Sequence, residues 1–205
     1  MRLLKELLSL REMTMRFDTE SDLNSSFTYV GDEINKNGKH IGSFNGLKIY
    51  SCSYDGTMLY GIYEDGSNEM FAYVSTSEET IKDIPFIVLN TMYVSPKFQN
   101  KGAMTKFIYF LLNHQKKSLI SYGVVSDKSF GLYNSLATKK FDVRWFNIET
   151  GETHDIKNLN NKFGDFTQTE WKIAIFNNIK YPLPMVEGSG HPMAGLWKIF
   201  EDSGP

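Results

Sequence analysis

The spacing of hydrophobic positions changes period along the chain, and each change predicts an element. At the start, Leu3, Leu4, Leu7 and Leu8 follow the i, i+1, i+4, i+5 pattern of one helical face, with Lys5, Glu6, Arg11 and Glu12 off it. This predicts a short amphipathic helix that docks on the body or on a partner. A polar stretch from Arg16 to Gly46 follows and ends in NKNGKHIGSFNG, whose glycines and asparagines are loop signals. Within it, Phe27 to Val30 (FTYV) is a candidate short strand. From Leu47 the segments LKIYSCS, TMLYGIYED, EMFAYVSTSEE and PFIVLNTMYVS roughly alternate and are rich in β-branched and aromatic residues. Asp55-Gly56 and Asp65-Gly66-Ser67-Asn68 are hairpin signals between them, and a longer polar connection, Ser77 to Asp83, leads into the fourth strand. An antiparallel meander is predicted.

The period then becomes helical. Met104, Phe107, Ile108, Leu111 and Leu112 predict a helix from Gly102 to about Lys117. Ser118 to Val125 returns to strand character, and Ser126-Asp127 reads as an N-cap pair for a second helix, DKSFGLYNSLATKK. FDVRWFNIE and WKIAIF supply two more strands, with Thr150-Gly151 as a turn. The fold class is α/β (α+β) with one mixed sheet: an antiparallel meander, then strand–helix–strand–helix–strand–strand, with the first helical crossover joining parallel strands. The domain boundaries follow the pattern: 1–46 is an N-terminal helix and polar connection, 47–180 the α/β domain, and 181–205 an irregular arm. That arm holds Pro182, Pro184, Pro192 and Pro205 among glycines, around one apolar island, MAGLWKIF. It reads as packing Leu196, Trp197 and Phe200 onto the domain, or as docking on a second subunit or a partner.

Composition narrows the chemistry. Over 205 residues the net charge is −2, which gives no support to nucleic-acid binding through bulk positive charge. The single cysteine, Cys52, cannot form an internal disulfide and fits a reducing cytoplasm. His40, His114, His154 and His191 are scattered, with no metal-ligand spacing, so no metal is expected. No stretch approaches the apolar length of a membrane span, so a cytoplasmic protein without membrane contact is expected.

The informative segment is TMYVSPKFQNKGAMTKFIYFLL, Thr91 to Leu112. A strand ends at Ser95-Pro96, a polar loop follows, and a helix begins near Gly102. Backbone N–H groups of the first helical turn lack intrahelical partners, and the helix dipole adds positive charge there. Strand, loop and helix N-terminus together suit phosphate oxygens, and Gly102 lets the backbone come close to a ligand.

Gln99-Asn100-Lys101-Gly102-Ala103-Met104 resembles the Gln/Arg-x-x-Gly-x-Gly/Ala pyrophosphate loop of the GNAT N-acetyltransferases. MYVSPKF is similar to the strand that leads into that loop, and SDKSFGLYNSL to the family's later helix with its tyrosine. The resemblance covers about Leu47 to Phe176. Met104 stands where the loop normally has Gly or Ala, Ala137-Thr138-Lys139 replaces a Leu-Gly-Phe end, and Asn90 occupies the position where many members hold a glutamate base.

The resemblance implies acetyl-CoA or another acyl-CoA as co-substrate and direct attack by an amine. Backbone groups of Gln99, Asn100, Lys101, Gly102, Ala103 and Met104 would hold the pyrophosphate. Met92, Tyr93 and Val94 would pair with pantetheine as an extra strand, and a bulge there would aim an N–H at the thioester carbonyl. Tyr133 would protonate the departing thiolate, or is simply a core tyrosine. Asn90 would orient a water, and Asp127 is either a base or a helix cap. Lys101, Lys106, Lys116 and Lys117 are candidates for a 3′-phosphate. Tyr50, Tyr54, Tyr60, Tyr63 and Tyr73 are sheet packing or an acceptor surface. Cys52 has no histidine nearby in sequence to support a covalent route. The acceptor stays open among a small amine, a protein and a nucleic-acid base. Two alternatives also stay open: a catalytically inactive GNAT-like binding or inhibitor protein, of phage-encoded type, and an acyltransferase that modifies nucleic-acid bases. The N-terminal helix and the C-terminal arm are the candidate surfaces for a homodimer or a protein partner.

Overall fold

The computed structural model describes residues 20–122, 127–156 and 170–177. A helix, α1 (Glu20–Asn37), precedes a run of five antiparallel strands: β1 (Lys39–Phe44), β2 (Leu47–Tyr54), β3 (Thr57–Glu64), β4 (Met70–Ile81) and β5 (Ile84–Val94). A short 3-10 turn (Pro96–Phe98) leads into α2 (Ala103–Gln115), then β6 (Ser118–Ser121), α3 (Asp127–Thr138), β7 (Asp142–Asn147), β8 (Thr153–Asp155) and β9 (Trp171–Phe176). One nine-stranded sheet results, in the order β1-β2-β3-β4-β5-β6-β9-β7-β8. β5 and β6 are parallel, as the crossover through α2 requires. The last strand inserts between β6 and β7, antiparallel to both.

The sheet is covered on both faces. On one, Ile49, Ile62, Val74, Leu89 and Ile175 pack against Phe107, Ile108 and Leu111 of α2 and Leu136 of α3. On the other, α1 sets Val30 and Ile34 on Cys52, Leu59, Tyr63 and Tyr73 of the meander. Further along the same face, Phe86, Val88, Ile120, Phe146 and Ala174 form a separate apolar cluster.

Three expectations are corrected. The segment expected to be a polar connection, including FTYV, forms α1, because Phe27, Val30 and Ile34 fall at i, i+3 and i+7 and meet the sheet as one stripe. NKNGKHIGSFNG is not a loop throughout, since Lys39–Phe44 pairs with β2 as the sheet's edge. The connection read over Ser77 to Asp83 is strand as far as Ile81. Lys82 and Asp83, at φ 50° and 62°, then turn the chain in two residues, the left-handed pair that matches strand twist. β8 is a strand that the hydrophobic pattern did not announce. The N-terminal leucine helix, Ser126 and the Pro/Gly-rich arm lie outside the described residues, as does His191.

Candidate functional site

The site is built on β5. Its first half is paired on both edges, with β4 and, over Phe86–Leu89, with Ser118–Ser121 of β6. The Tyr122 N–H donates to the Leu89 carbonyl at 3.2 Å, the last link between the two parallel strands. The next residue is a bulge: Thr76 pairs with Leu89 and Ser75 with Thr91, so Asn90 is extra. The bulge shifts the alternation of side chains. Ile87 and Leu89 face α2 before it, and Met92 and Val94 do so after it. Tyr93 falls on the opposite face, with its ring 5.3 Å from Phe27 and 5.8 Å from Tyr73. From Asn90 to Val94 the strand keeps β4 on one edge and has no strand partner on the other among the described residues.

The Asn90 side chain is held by β4. Its Oδ1 accepts a hydrogen bond from Ser77 Oγ at 3.3 Å. The carbonyl oxygen that sequence reading assigned to a water is thus engaged within the protein, leaving the amide's donor side for a neighbour.

The loop after β5 is pinned at its base. The Ser95 N–H donates to the Phe71 carbonyl at 2.8 Å, and the Gln99 side-chain amide donates to the Val94 carbonyl at 3.1 Å. Phe98 stacks on Phe71 with centroids 4.7 Å apart, and the Lys97 and Lys101 ammonium groups lie 5.3 and 4.8 Å from the Phe98 centroid. Lys97 also pairs with Glu69 at 2.8 Å. Beyond this base, Asn100 and Gly102 both adopt the left-handed conformation, at φ 62° and 70°, and Gly102 caps α2. Lys106 N–H to Gly102 carbonyl is the helix's opening bond at 3.0 Å, so the N–H groups of Ala103, Met104 and Thr105 precede it. A Cβ on Gly102 would have nothing within 4 Å. Glycine is therefore required by its backbone angle and not by crowding.

The remaining candidates separate. Ala103 and Met104 are each 8% exposed and belong to the main core, so the Met104 side chain turns inward from the loop. Tyr133, on α3, is 1% exposed within the same core. Burial alone drives its phenol far above the ordinary tyrosine value. Such a group keeps its proton, and giving it to a thiolate whose own pKa is near 8.5 would be uphill. Lys106 donates to the Asn45 carbonyl at 3.3 Å and Lys117 pairs with Glu78 at 2.6 Å, while Lys116 is the left-handed cap of α2. Tyr60, Tyr63 and Tyr73 are buried packing residues, and burial pushes Tyr73 up to about 12. Asp127 opens α3. Cys52 is buried, and burial, with Glu33, raises its thiol pKa. Among the described residues no group of three or more His, Cys, Asp or Glu side chains could hold a metal ion. No helix there is long and apolar enough to cross a membrane.

The meander, the bulged strand, the helical crossover and the half-open parallel pair make a mixed α/β fold on one sheet. No family model and no curated protein matches the chain. Solved structures do show similarity. One is described as a GCN5-related glucosamine N-acetyltransferase region in a fungal multi-domain GH3 β-N-acetylglucosaminidase. It is 15% identical over 46% of this chain and 14% of its own length, with a TM-score of 0.35. Another is Arabidopsis thaliana Naa50 in complex with the bisubstrate analogue CoA-Ac-MVNAL. It is 8% identical over 57% of this chain and 70% of its own, also at a TM-score of 0.35. These likenesses are partial and carry no weight for activity.

Proposed function

We propose that the chain is an acyl-CoA-dependent N-acyltransferase. The observation that carries this reading is the half-open strand: among the described residues, Asn90–Val94 has no strand partner on one edge, and it runs directly into the loop that delivers Gly102 and the start of α2. An extended chain with amide groups, such as pantetheine, completes such an edge as an additional strand. The diphosphate then falls at the N-terminus of α2, where unpaired N–H groups and the helix dipole favour anions. Residues Gln99 to Met104 act here through their backbone, so the inward-turned Met104 side chain is compatible with binding.

In this reading an amine nitrogen attacks the thioester carbonyl beside the bulge, a bulge N–H receives the developing oxyanion, and the C–S bond breaks. Tyr133 donates a hydrogen bond to the departing sulfur. A small amine, a protein amine and a nucleic-acid base remain the acceptor classes to screen. The test is isothermal titration of the protein with acetyl-CoA and with CoA. Micromolar binding of both supports the assignment, and no heat at millimolar concentrations rejects it.

A further inference from the structure

We propose that the leucine-striped helix expected near the N-terminus, residues 2–12, seats Leu3, Leu4, Leu7 and Leu8 on the cluster of Phe86, Val88, Ile120, Phe146 and Ala174, and so covers the part of the sheet face that α1 leaves. The proposal is independent of the acyl-CoA reading above.

The cluster requires a cover. It lies on the sheet face opposite α2, and none of its five residues is more than 4% exposed. Side chains stand roughly perpendicular to a sheet, so neighbours on the same face shield their flanks and leave their outer ends to water. The flanks here are closed by rings, with Phe86 5.4 Å from Phe146 and 6.1 Å from Phe176 between centroids. Among the described residues, the hydrophobic side chains packed against the cluster are Ile81, Ile84, Ile148 and Phe176, which belong to strands or to the turn after β7. α1 caps a different cluster, and α2 and α3 cap the other face. Burial this complete on an outer face calls for a further apolar layer.

The course of α1 indicates which segment supplies it. The Phe27 ring lies 5.3 Å from that of Tyr93 on β5, and Ile34 lies against Gly61 on β3. The chain then passes through Gly38 into β1, the sheet edge. Traced backwards, α1 crosses the sheet from β1 toward β5 and on toward β6. From Phe27 back to Glu20 it advances about 10 Å, or about two strand spacings. The chain ahead of Glu20 thus arrives on the cluster's own face, on the side of β6, β9 and β7.

Reach and length agree. Val88 lies about 15 Å from Tyr93 along β5 at about 3.3 Å per residue, and residues 13–19 span up to about 24 Å. A helix over residues 2–12 is about 16 Å long. The three steps from β5 through β6 and β9 to β7 cover about 14 Å. Seating the leucines on the sheet leaves Lys5, Glu6, Arg11 and Glu12 toward solvent. The C-terminal arm is less well placed. The Asn177 N–H donates to Ser118 Oγ at 3.1 Å and its side-chain amide to the Leu112 carbonyl of α2 at 3.2 Å, which sends the chain out of β9 toward the α2 face.

The test is the rate at which a maleimide labels a thiol at position 88 of the full chain, introduced as Val88→Cys, with labelled peptides resolved by mass spectrometry. Cys52, buried under α1, reports unfolding in the same sample. Both thiols should label slowly. Adding Leu4→Glu with Leu8→Glu should speed position 88 about 100-fold and leave Cys52 slow, because local opening is separable from global unfolding. Adding Trp197→Glu with Phe200→Glu instead should leave both slow. If the glutamates also release Cys52, Leu8→Ala replaces them, and a selective gain of about 10-fold at position 88 is expected. Fast labelling with Val88→Cys alone, no selective gain from the leucine variants, or a gain from the arm variants overturns the proposal. So does slow labelling that quickens on dilution, which would make a second copy the cover.

Discussion

Ile34 of α1 rests directly on Gly61 of β3: a Cβ at position 61 would lie 3.2 Å from the isoleucine Cγ2 and 3.1 Å from Met70 Sδ. The helix can approach the meander this closely because the strand presents no side chain there. Gly61→Val should therefore push α1 off the sheet and destabilise the protein by about 1–3 kcal/mol, the usual cost of overpacking. Thermal unfolding reads this directly. An unchanged midpoint would mean that α1 contributes little to the fold.

Met104 offers a sharper choice. Its side chain is in the core, so Met104→Ala should cost about 2–5 kcal/mol through the cavity it leaves. Affinity for acetyl-CoA should stay within about twofold if the fold holds, because the groups assigned to the diphosphate belong to the backbone. A large gain in affinity would show instead that the methionine obstructs the loop.

Gly102→Ala separates backbone geometry from space. The Cβ has room, but φ of 70° is left-handed, which costs an alanine about 1–2 kcal/mol. The chain can relieve this by rotating the cap and misaligning the N–H groups of α2. About tenfold weaker binding of acetyl-CoA in titration, with a small loss of stability, is expected. Binding equal to the wild type would remove Gly102 from the site.

Tyr133→Phe tests burial and chemistry together. The folded phenol holds its proton above the pH at which an exposed tyrosine, near 10, gives it up. The unfolded chain therefore binds fewer protons than the native state above pH 10, and stability falls there by up to about 1.4 kcal/mol per pH unit from this group. Below pH 10 the group contributes no slope. Denaturant unfolding from pH 8 to 11.5 should show a shallower alkaline loss in the variant. Acetyl-CoA binding should persist while turnover falls, and unchanged turnover would leave Tyr133 as packing alone.

What could be read from residues alone was what is local. The switch from alternating LKIYSCS to helical Met104–Leu112 announced β5, α2 and the parallel β6, and Gly102 stood at the turn between them. α1 was missed although its apolar stripe is regular, because Ser25, Ser26, Gly31 and Asn37-Gly38 carry loop signals that packing against the meander overrides. The placement of the bulge at Asn90 depends on which residues of β4 face it, and no single strand carries that information. The place of β9 was hidden in sequence for the same reason. It inserts between β6 and β7, a pairing of residues more than fifty positions apart across β6 and β9.

The unpaired Asn90 means that β5 is written in two reading frames. Before it, odd-numbered residues serve the α2 core, and after it even-numbered ones do, while Tyr93 belongs to the layer under α1. Losing or gaining one residue within either half would put that half's side chains out of frame with the layer they fill. Removing Asn90 itself would merge the two frames into one and leave each later residue on its β4 partner and in its layer. Away from Asn90, length changes in this strand are thus quantised in pairs, which makes residue count, as much as residue identity, a property the site depends on.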